Sequence, residues 1–264
     1  MAITIAVLGG TGLTGRNVVE QLIEKPNVNL RVYARSRPKL LALFPGLDKN
    51  PRVSIFIAPV NDVESMKKCL SGVDVIIFTL GLNDNLKGVS VIEDGAKSVV
   101  AALQDLKGST PNWRKPRLLL LSSSTWNERF ASHRPAIVHW LISNAFYYPY
   151  LDLRRGTALL QSHPDLVDVT LIQPGALVED EPSGHEISTE SVRLAVSYPD
   201  LAAGFVELAT VPGYEKLKAV GVSSKKGDQP AKYGPELALR VLMGFCAYIP
   251  GFWTVHSLVA GRPA

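Results

Sequence analysis

Three stretches of this 264-residue sequence combine residue types and spacings that suit chemistry on a bound ligand. The first is Gly9-Gly10-Thr11-Gly12-Leu13-Thr14-Gly15, directly after a short apolar run. Gly10, Gly12 and Gly15 fit G-x-G-x-x-G, while Gly9, Gly12 and Gly15 fit the related G-x-x-G-x-x-G. Glycines so placed let the chain turn sharply out of a strand and let backbone N–H groups approach a pyrophosphate. They also let the next helix pack close, with its positive end on the anion. The whole loop, from Gly9 to Gly15, is therefore predicted to cradle a dinucleotide. The second stretch is Tyr33-Ala34-Arg35-Ser36-Arg37. An acidic residue at the end of a second strand would bind the ribose 2′-hydroxyl of NAD. Arg35 offers instead a planar fork for a 2′-phosphate and Ser36 a hydroxyl, so the expected cofactor is NADP(H). Arg16, just past the loop, is placed to add charge. The third stretch is Ser122-Ser123-Ser124, after a fifth apolar run. It admits two readings: hydroxyls beside the nicotinamide, or a strand-end turn that caps the next helix.

The elements that must position these residues are legible as an alternation. Apolar runs at Ile3–Leu8, Leu30–Ala34, Val53–Ile57, Val73–Phe78, Leu118–Leu121 and Val169–Ile172 are nearly continuous in Val, Ile and Leu. Such runs mark parallel strands buried on both faces. Helix-length amphipathic stretches lie between them, at Leu13–Glu24, Val63–Leu70, Val89–Leu106 and Ala136–Leu160. Strand and helix in alternation predict an α/β fold, a Rossmann-type doubly wound parallel sheet. In such a sheet the carboxyl ends of the strands line the ligand crevice, and all three stretches fall there. After Ile172 the pattern loosens, with short helices expected at Thr189–Ser197 and Leu201–Ala209.

Composition narrows the classes. The apolar fraction of 46% and charged fraction of 20% fit a globular protein with a sizeable core. The net charge of +4 is modest and its basic residues are scattered, without the aromatic interleaving of a nucleic-acid surface. No nucleic-acid partner is expected; an anionic small molecule accounts for the excess. Cys69 and Cys246 are too far apart and too few for a disulfide scaffold or a zinc site, and are expected to be reduced and buried. The histidines, His133, His139, His163, His185 and His256, have no metal-ligand spacing, so no metal is expected. His185 lies in a loop expected near the substrate, either touching it or simply exposed. The amino terminus reads as a first strand and not as a signal peptide, so a cytoplasmic location is expected.

Gly9–Gly15, Arg35-Ser36 and Gln173-Pro174-Gly175 together resemble the atypical branch of the short-chain dehydrogenase/reductase superfamily, the NAD(P)-binding group that includes NmrA-like proteins. The stretches Leu80-Gly81-Leu82-Asn83-Asp84-Asn85 and Val91-Ile92-Glu93-Asp94-Gly95-Ala96-Lys97 look most like its biliverdin reductase B, or flavin reductase, type. The resemblance implies cofactor contacts at Leu80, Gly81, Ser122, Ser123, Pro174 and Gly175. The family often carries Gly-Asp after its third strand; here Ala58-Pro59 stands there, and Asp62 is the nearby acid offered to the adenine side. In the extended reductases a serine such as Ser124 partners a Tyr-x-x-x-Lys pair, the tyrosine giving the proton. The counterpart here is Tyr150-Leu151-Asp152-Leu153-Arg154, with Tyr150 and Arg154 on one helix face and arginine in place of lysine. Tyr147 and Tyr148 compete with Tyr150, and an aromatic cluster that only lines a pocket or packs the core is the other reading. What the resemblance implies in sum is a reductase of a small carbonyl or conjugated aromatic substrate, with Ser124, Tyr150 and Arg154 as the catalytic candidates. A dinucleotide-binding redox sensor and an isomerase or lyase on the same fold stand as alternatives.

The domain reading is a dinucleotide-binding domain over residues 1–224, with a small carboxyl-terminal substrate-side region over 174–224, then a hydrophobic extension over 225–264. A polar stretch, Ser223–Gly234, leads into it. Val241 to Ala260 is nearly all apolar but interrupted by Pro250-Gly251. It is read as a cover for the pocket, a homodimer interface, or a peripheral membrane contact, and least as a true span.

Overall fold

The computed structural model describes residues 2–132 and 134–260. The apolar runs become parallel strands, β1 (Ile3–Leu8), β2 (Val28–Ala34), β3 (Val53–Ile57), β4 (Val75–Phe78), β5 (Arg117–Leu121) and β6 (Asp168–Ile172). Short strands β7 (Ala176–Val178), β8 (His185–Ser188) and β9 (Ala195–Ser197) follow, then β10 (Ala219–Ser224). The main sheet has the order β3-β2-β1-β4-β5-β6-β10-β8, with only β8 antiparallel, and β7 pairs with β9 in a small separate sheet. The order runs outward in both directions from β1, and the reversal between β1 and β4 is the switch point where such sheets bind ligands.

Alternation along β1 shows why helices are needed on both faces. Ile5 and Val7 join one apolar cluster, with Val18 and Leu22 of α1 (Leu13–Ile23) and Phe205 of α8 (Tyr198–Thr210). Ala6 and Leu8 join another, with Met66 of α3 (Val63–Leu70), Val99 of α4 (Val91–Ser109) and Leu153 of α7 (Tyr147–Gln161). A short α2 (Arg37–Leu43) leaves β2, and α5 (Glu128–Ala131) and α6 (Ala136–Ala145) precede α7. Cys69 is buried, which pushes its thiol up to about 12, while Cys246 is half-buried; both are free.

Four expectations are corrected. The helix read over Ala136–Leu160 is two helices, because Phe146 (φ −117°, ψ 32°) leaves the helical region and Pro149 falls in the first turn of the second. Residues 189–197 are not helical. Their amides go to side chains and strands instead: Arg193 N–H to Ser223 Oγ at 2.9 Å and Leu194 N–H to an Asp228 carboxylate oxygen at 2.8 Å, with β9 beyond. The polar stretch 223–234 is not a spacer throughout: Ser223 and Ser224 end β10, and Pro230 opens a helix. His185 is neither in a loop nor free, since it begins β8 and its Nε2 lies 2.7 Å from Glu207. His133 lies outside the described residues, and among the described ones no cluster fit for a metal ion occurs.

The extension forms α9 (Pro230–Cys246) and α10 (Phe252–Ala260); residues 261–264 lie outside the described part. No helix among the described residues is long and apolar enough to cross a membrane. Helix α9 packs on α6, and Tyr248 donates to the Asn144 carbonyl at 2.8 Å. Near its start, Lys232 and Tyr233 both reach Asp180, at 2.5 and 2.6 Å. These two bonds, lysine first, hold the Asp180 carboxyl at about 2 instead of 3.8. A lowered carboxyl stabilises the folded form above its unfolded value and ceases to do so as pH falls through the folded one. Asp180→Asn should therefore lower amide protection over residues 230–246 while β1–β6 keep theirs in hydrogen exchange. Acidification of the wild type between 3.8 and about 2 should do the same. Unchanged protection in the variant would mean that apolar packing alone holds α9.

Candidate functional site

The loop after β1 is built around two close approaches. Gly9 has φ +97°, a value that side chains disfavour, and its carbonyl accepts the Gly12 N–H at 2.9 Å. A Cβ on Gly15 would stand 2.2 Å from that same carbonyl oxygen, so glycine there lets α1 sit against the loop. A Cβ on Gly10 would meet Val32 of β2 at 2.5 Å. Gly12 differs, since a Cβ there meets nothing nearer than 3.4 Å. No protein group therefore requires glycine at this exposed position, and the space in front of it is what a Cβ would take from a ligand. Gly12 also caps α1 without a side-chain hydrogen bond, and the first turn holds no acid. The free amides and the positive helix end fit a pyrophosphate. Thr11 is half-buried at the rim, Leu13 is exposed beside Gly12, and Thr14 is buried.

At the end of β2, Arg35 is exposed, with no carboxylate in ion-pair range among the described residues, whereas Arg37 is paired with Asp48 at 2.9 Å. The Ser36 hydroxyl caps α2 by accepting from Lys39 N–H at 3.3 Å. After β3, the Pro59 carbonyl accepts the Tyr33 hydroxyl at 2.7 Å. Asp62 caps α3: its two oxygens accept from Ser65 N–H at 2.9 Å and Ser65 Oγ–H at 3.1 Å. The backbone bond from Ser65 is the main reason its carboxyl lies below the ordinary range. Both Ser36 and Asp62 thus stand at strand ends with their side chains already engaged. After β4, Leu80 packs into the core and Gly81 is exposed.

The hydroxyl cluster gathers after β5. Tyr150 Oη lies 3.3 Å from Ser123 Oγ and 3.3 Å from Thr125 Oγ1. Ser123 Oγ also accepts from Thr125 N–H at 3.3 Å, capping the single 3-10 turn Ser124–Trp126. Ser123 thus fulfils the capping reading of this stretch, and it is also the serine whose hydroxyl reaches Tyr150. Ser124, the expected partner of Tyr150, is 1% exposed and donates its N–H to the Pro174 carbonyl at 3.0 Å. Ser122 donates its N–H to Ile172 at 2.7 Å. The glycine at 175 is required by the protein itself, because a Cβ there would come within 2.4 Å of the Arg193 carbonyl.

Helix α7 brings Tyr150 to this cluster, and Asp152 fixes the helix. Its buried carboxylate accepts from Ile92 N–H at 2.9 Å and Glu93 N–H at 2.8 Å, the free first-turn amides of α4. Arg154 lies one turn beyond Tyr150, yet its guanidinium is over the Trp126 ring, 5.0 Å from the centroid. Trp126 in turn meets Tyr150 edge-on, with ring centroids 5.4 Å apart. The cation joined to the cluster by a hydrogen bond is Arg134, whose Nη1 donates to Thr125 Oγ1 at 3.2 Å. Tyr147 and Tyr148 stack edge to face on each other, and neither hydroxyl reaches the cluster. Sequence reasoning missed Thr125, Trp126, Asp152 and Arg134. Asp152 alone carried a signal, an acid on the otherwise apolar side of a helix.

Because a side chain would find room at Gly12 and would clash at Gly15, substitutions there should part. Gly12→Val should fold with an unchanged melting temperature and lose dinucleotide binding in calorimetry. Gly15→Ala should lose binding and stability together. Retained affinity in a folded Gly12→Val protein would refute the role given to the loop.

An NAD(P)H-binding family matches residues 9–212. The chain is 36% identical over 222 residues to the oxidoreductase stcQ of Emericella nidulans, covering 82% of this chain and 81% of that protein. It is 32% identical to the oxidoreductase AgnL4 of Paecilomyces divaricatus, over 93% of this chain and 94% of that one. A short-chain dehydrogenase/reductase from Veillonella parvula, solved in complex with NADP, superposes with a TM-score of 0.68 at 15% identity, over 87% of this chain and 98% of that one. The oxidoreductase ylbE from Lactococcus lactis gives 0.61 at 23% identity, over 90% and 97%. With the phosphate loop, the switch-point sheet and these matches in agreement, the chain belongs to the NAD(P)H-binding family, among relatives named oxidoreductases.

Proposed function

We propose that the protein is an NADP(H)-dependent reductase of a small, flat, aromatic carbonyl or conjugated compound, with Tyr150 as the proton donor. The observation that carries this reading is the Tyr150 hydroxyl held between Ser123 and Thr125, each at 3.3 Å, at the carboxyl end of β5. The names of the relatives support the reaction class. The bound dinucleotide supplies the hydride, and the protein supplies position and a proton. Arg134 can only donate, so Thr125 Oγ1 accepts from it and keeps its own proton for the Tyr150 oxygen. That bond favours the charge left on Tyr150 once its proton has gone to the reacting oxygen. Ser123 orients the same hydroxyl, and Ser124 supports the turn from below. Arg35, exposed and without a carboxylate, is the group that prefers a 2′-phosphate.

A second reading, a dinucleotide-binding sensor without turnover, draws on the position of Arg154, which lies against Trp126 and not beside the Tyr150 hydroxyl. NADPH oxidation across a panel of quinones, flavins and aromatic ketones separates the two.

Arg35→Ala should weaken NADPH far more than NADH. A charge-assisted hydrogen bond contributes about 1.5–3 kcal/mol, or roughly 10- to 150-fold in Kd. Equal losses for both cofactors would remove Arg35 from that role. On any substrate the panel identifies, Tyr150→Phe should leave NADPH affinity nearly intact and lower the chemical rate by about 10²–10⁴-fold. A fall of less than about tenfold would mean that another donor serves.

A further inference from the structure

We infer that the substrate carries an anionic group, a carboxylate, sulfonate or ionised phenol, on its aromatic frame, and that Arg134 and Arg154 receive it. The inference rests on the proposed placement of the substrate beside Tyr150 and deepens it. Two guanidinium groups flank the hydroxyl cluster, and neither has a carboxylate in ion-pair range among the described residues. Asp152 and Glu93, the acids at the contact of α4 with α7, are engaged elsewhere. Asp152 gives both oxygens to the amides of α4, and Glu93 takes Lys97 at 2.8 Å and Arg155 at 3.7 Å. Arg155 is therefore paired while its neighbour Arg154 is not.

The two environments argue for a ligand in different ways. Arg134 is half-buried, and among the described residues its guanidinium donates only to a neutral hydroxyl. A cation taken partly out of water with only a neutral partner is left under-compensated, and an anion would correct this. Arg154 lies with its carbon over the Trp126 face. A contact with the ring face uses none of the guanidinium N–H donors in a hydrogen bond, and such donors suit bidentate capture of an oxyanion. Trp126 remains 38% exposed, a large apolar surface beneath Arg154 and directly after Thr125, the residue that holds Arg134. An aromatic ring covering that indole would place an acidic substituent among the arginines. A neutral ring would leave both charges as they are.

The test measures binding, so it does not depend on turnover. Anthraquinone-2-sulfonate and the neutral 2-(hydroxymethyl)anthraquinone would be titrated calorimetrically into the NADP+-loaded protein. NADPH oxidation by each would be followed in parallel. The wild type should bind the sulfonate at least about tenfold more tightly than the neutral compound. Arg154→Gln and Arg134→Gln should each erode that preference, and the double variant should abolish it, with affinity for the neutral compound nearly constant. Arg134→Lys, which keeps the charge, should retain part of the preference and guards against a folding defect in Arg134→Gln. Equal binding of the two compounds by the wild type, or a preference that survives in the folded double variant, would overturn the inference. If neither compound is reduced but the preference follows the arginines, the anion site stands and the reductase reading fails. If both are reduced at equal rates without arginine dependence, the reverse holds.

Discussion

A parallel sheet buried on both faces has nothing to offer a ligand except the ends of its strands. That constraint governs this molecule. Ile5 and Val7 are committed to one apolar layer, and Ala6 and Leu8 to the other. Chemistry is therefore confined to the turns that leave β1, β2, β4 and β5. The turn after β1 can serve only because its helix comes close enough to aim its amides outward. The contact of Gly15 with the Gly9 carbonyl sets that distance. The same end of the sheet places Arg35 after β2 and the Ser123–Tyr150–Thr125 cluster after β5. The glycine loop with Arg35 and the hydroxyl cluster at Tyr150 are thus brought to one end of the sheet by strand order and not by proximity in sequence.

Within the second half, charge is supplied indirectly. A lysine four residues after the tyrosine would act as a compact point charge beside it. The arginine at 154 has a planar group that finds a better seat on the Trp126 face. The cation linked to Tyr150 is then Arg134, through the hydroxyl of Thr125. Hydrogen-bond direction is forced along this path, because a guanidinium has no acceptor. Asp152 contributes by holding the helix: its two bonds to the amides of α4 anchor α7 two residues from Tyr150.

The parts legible from sequence were those that depend on local pattern. The strands and the helix at Val63–Leu70 follow from runs of apolar residues and their period, and the glycine spacing marked the tight turn between β1 and α1. What failed depended on partners distant in sequence. The segment 189–194 has no helix because Ser223 and Asp228 take its amides. Three consecutive serines look alike in sequence, and only the turn after β5, with the Pro174 carbonyl taking the amide of Ser124, determines that Ser123 faces Tyr150. Arg134 sits among polar and apolar residues with no motif, so nothing local distinguished it from a solvated charge.

The hydrophobic extension belongs to the same account through Asn85. This residue is buried, and its side-chain N–H donates to the Gly244 carbonyl of α9 at 3.0 Å. Its side-chain oxygen accepts Tyr148 N–H at 3.0 Å, and its backbone carbonyl accepts the Trp253 indole N–H of α10 at 3.2 Å. Tyr148 lies in the first turn of α7, where the helix has no cap of its own, so Asn85 serves as that cap from the loop after β4. Asn85 therefore joins the β4 loop to the helix that carries Tyr150 and to α9 through its side chain, and to α10 through its backbone carbonyl. Losing α9 and α10 would remove two of these three bonds at a residue that also caps α7. The extension is thus tied mechanically to α7, although the outward residues Leu239, Leu242, Ile249 and Val255 remain exposed. Its packing against α6 and Asn85 gives it a role in holding Tyr150 in place, whatever else that exposed face contacts.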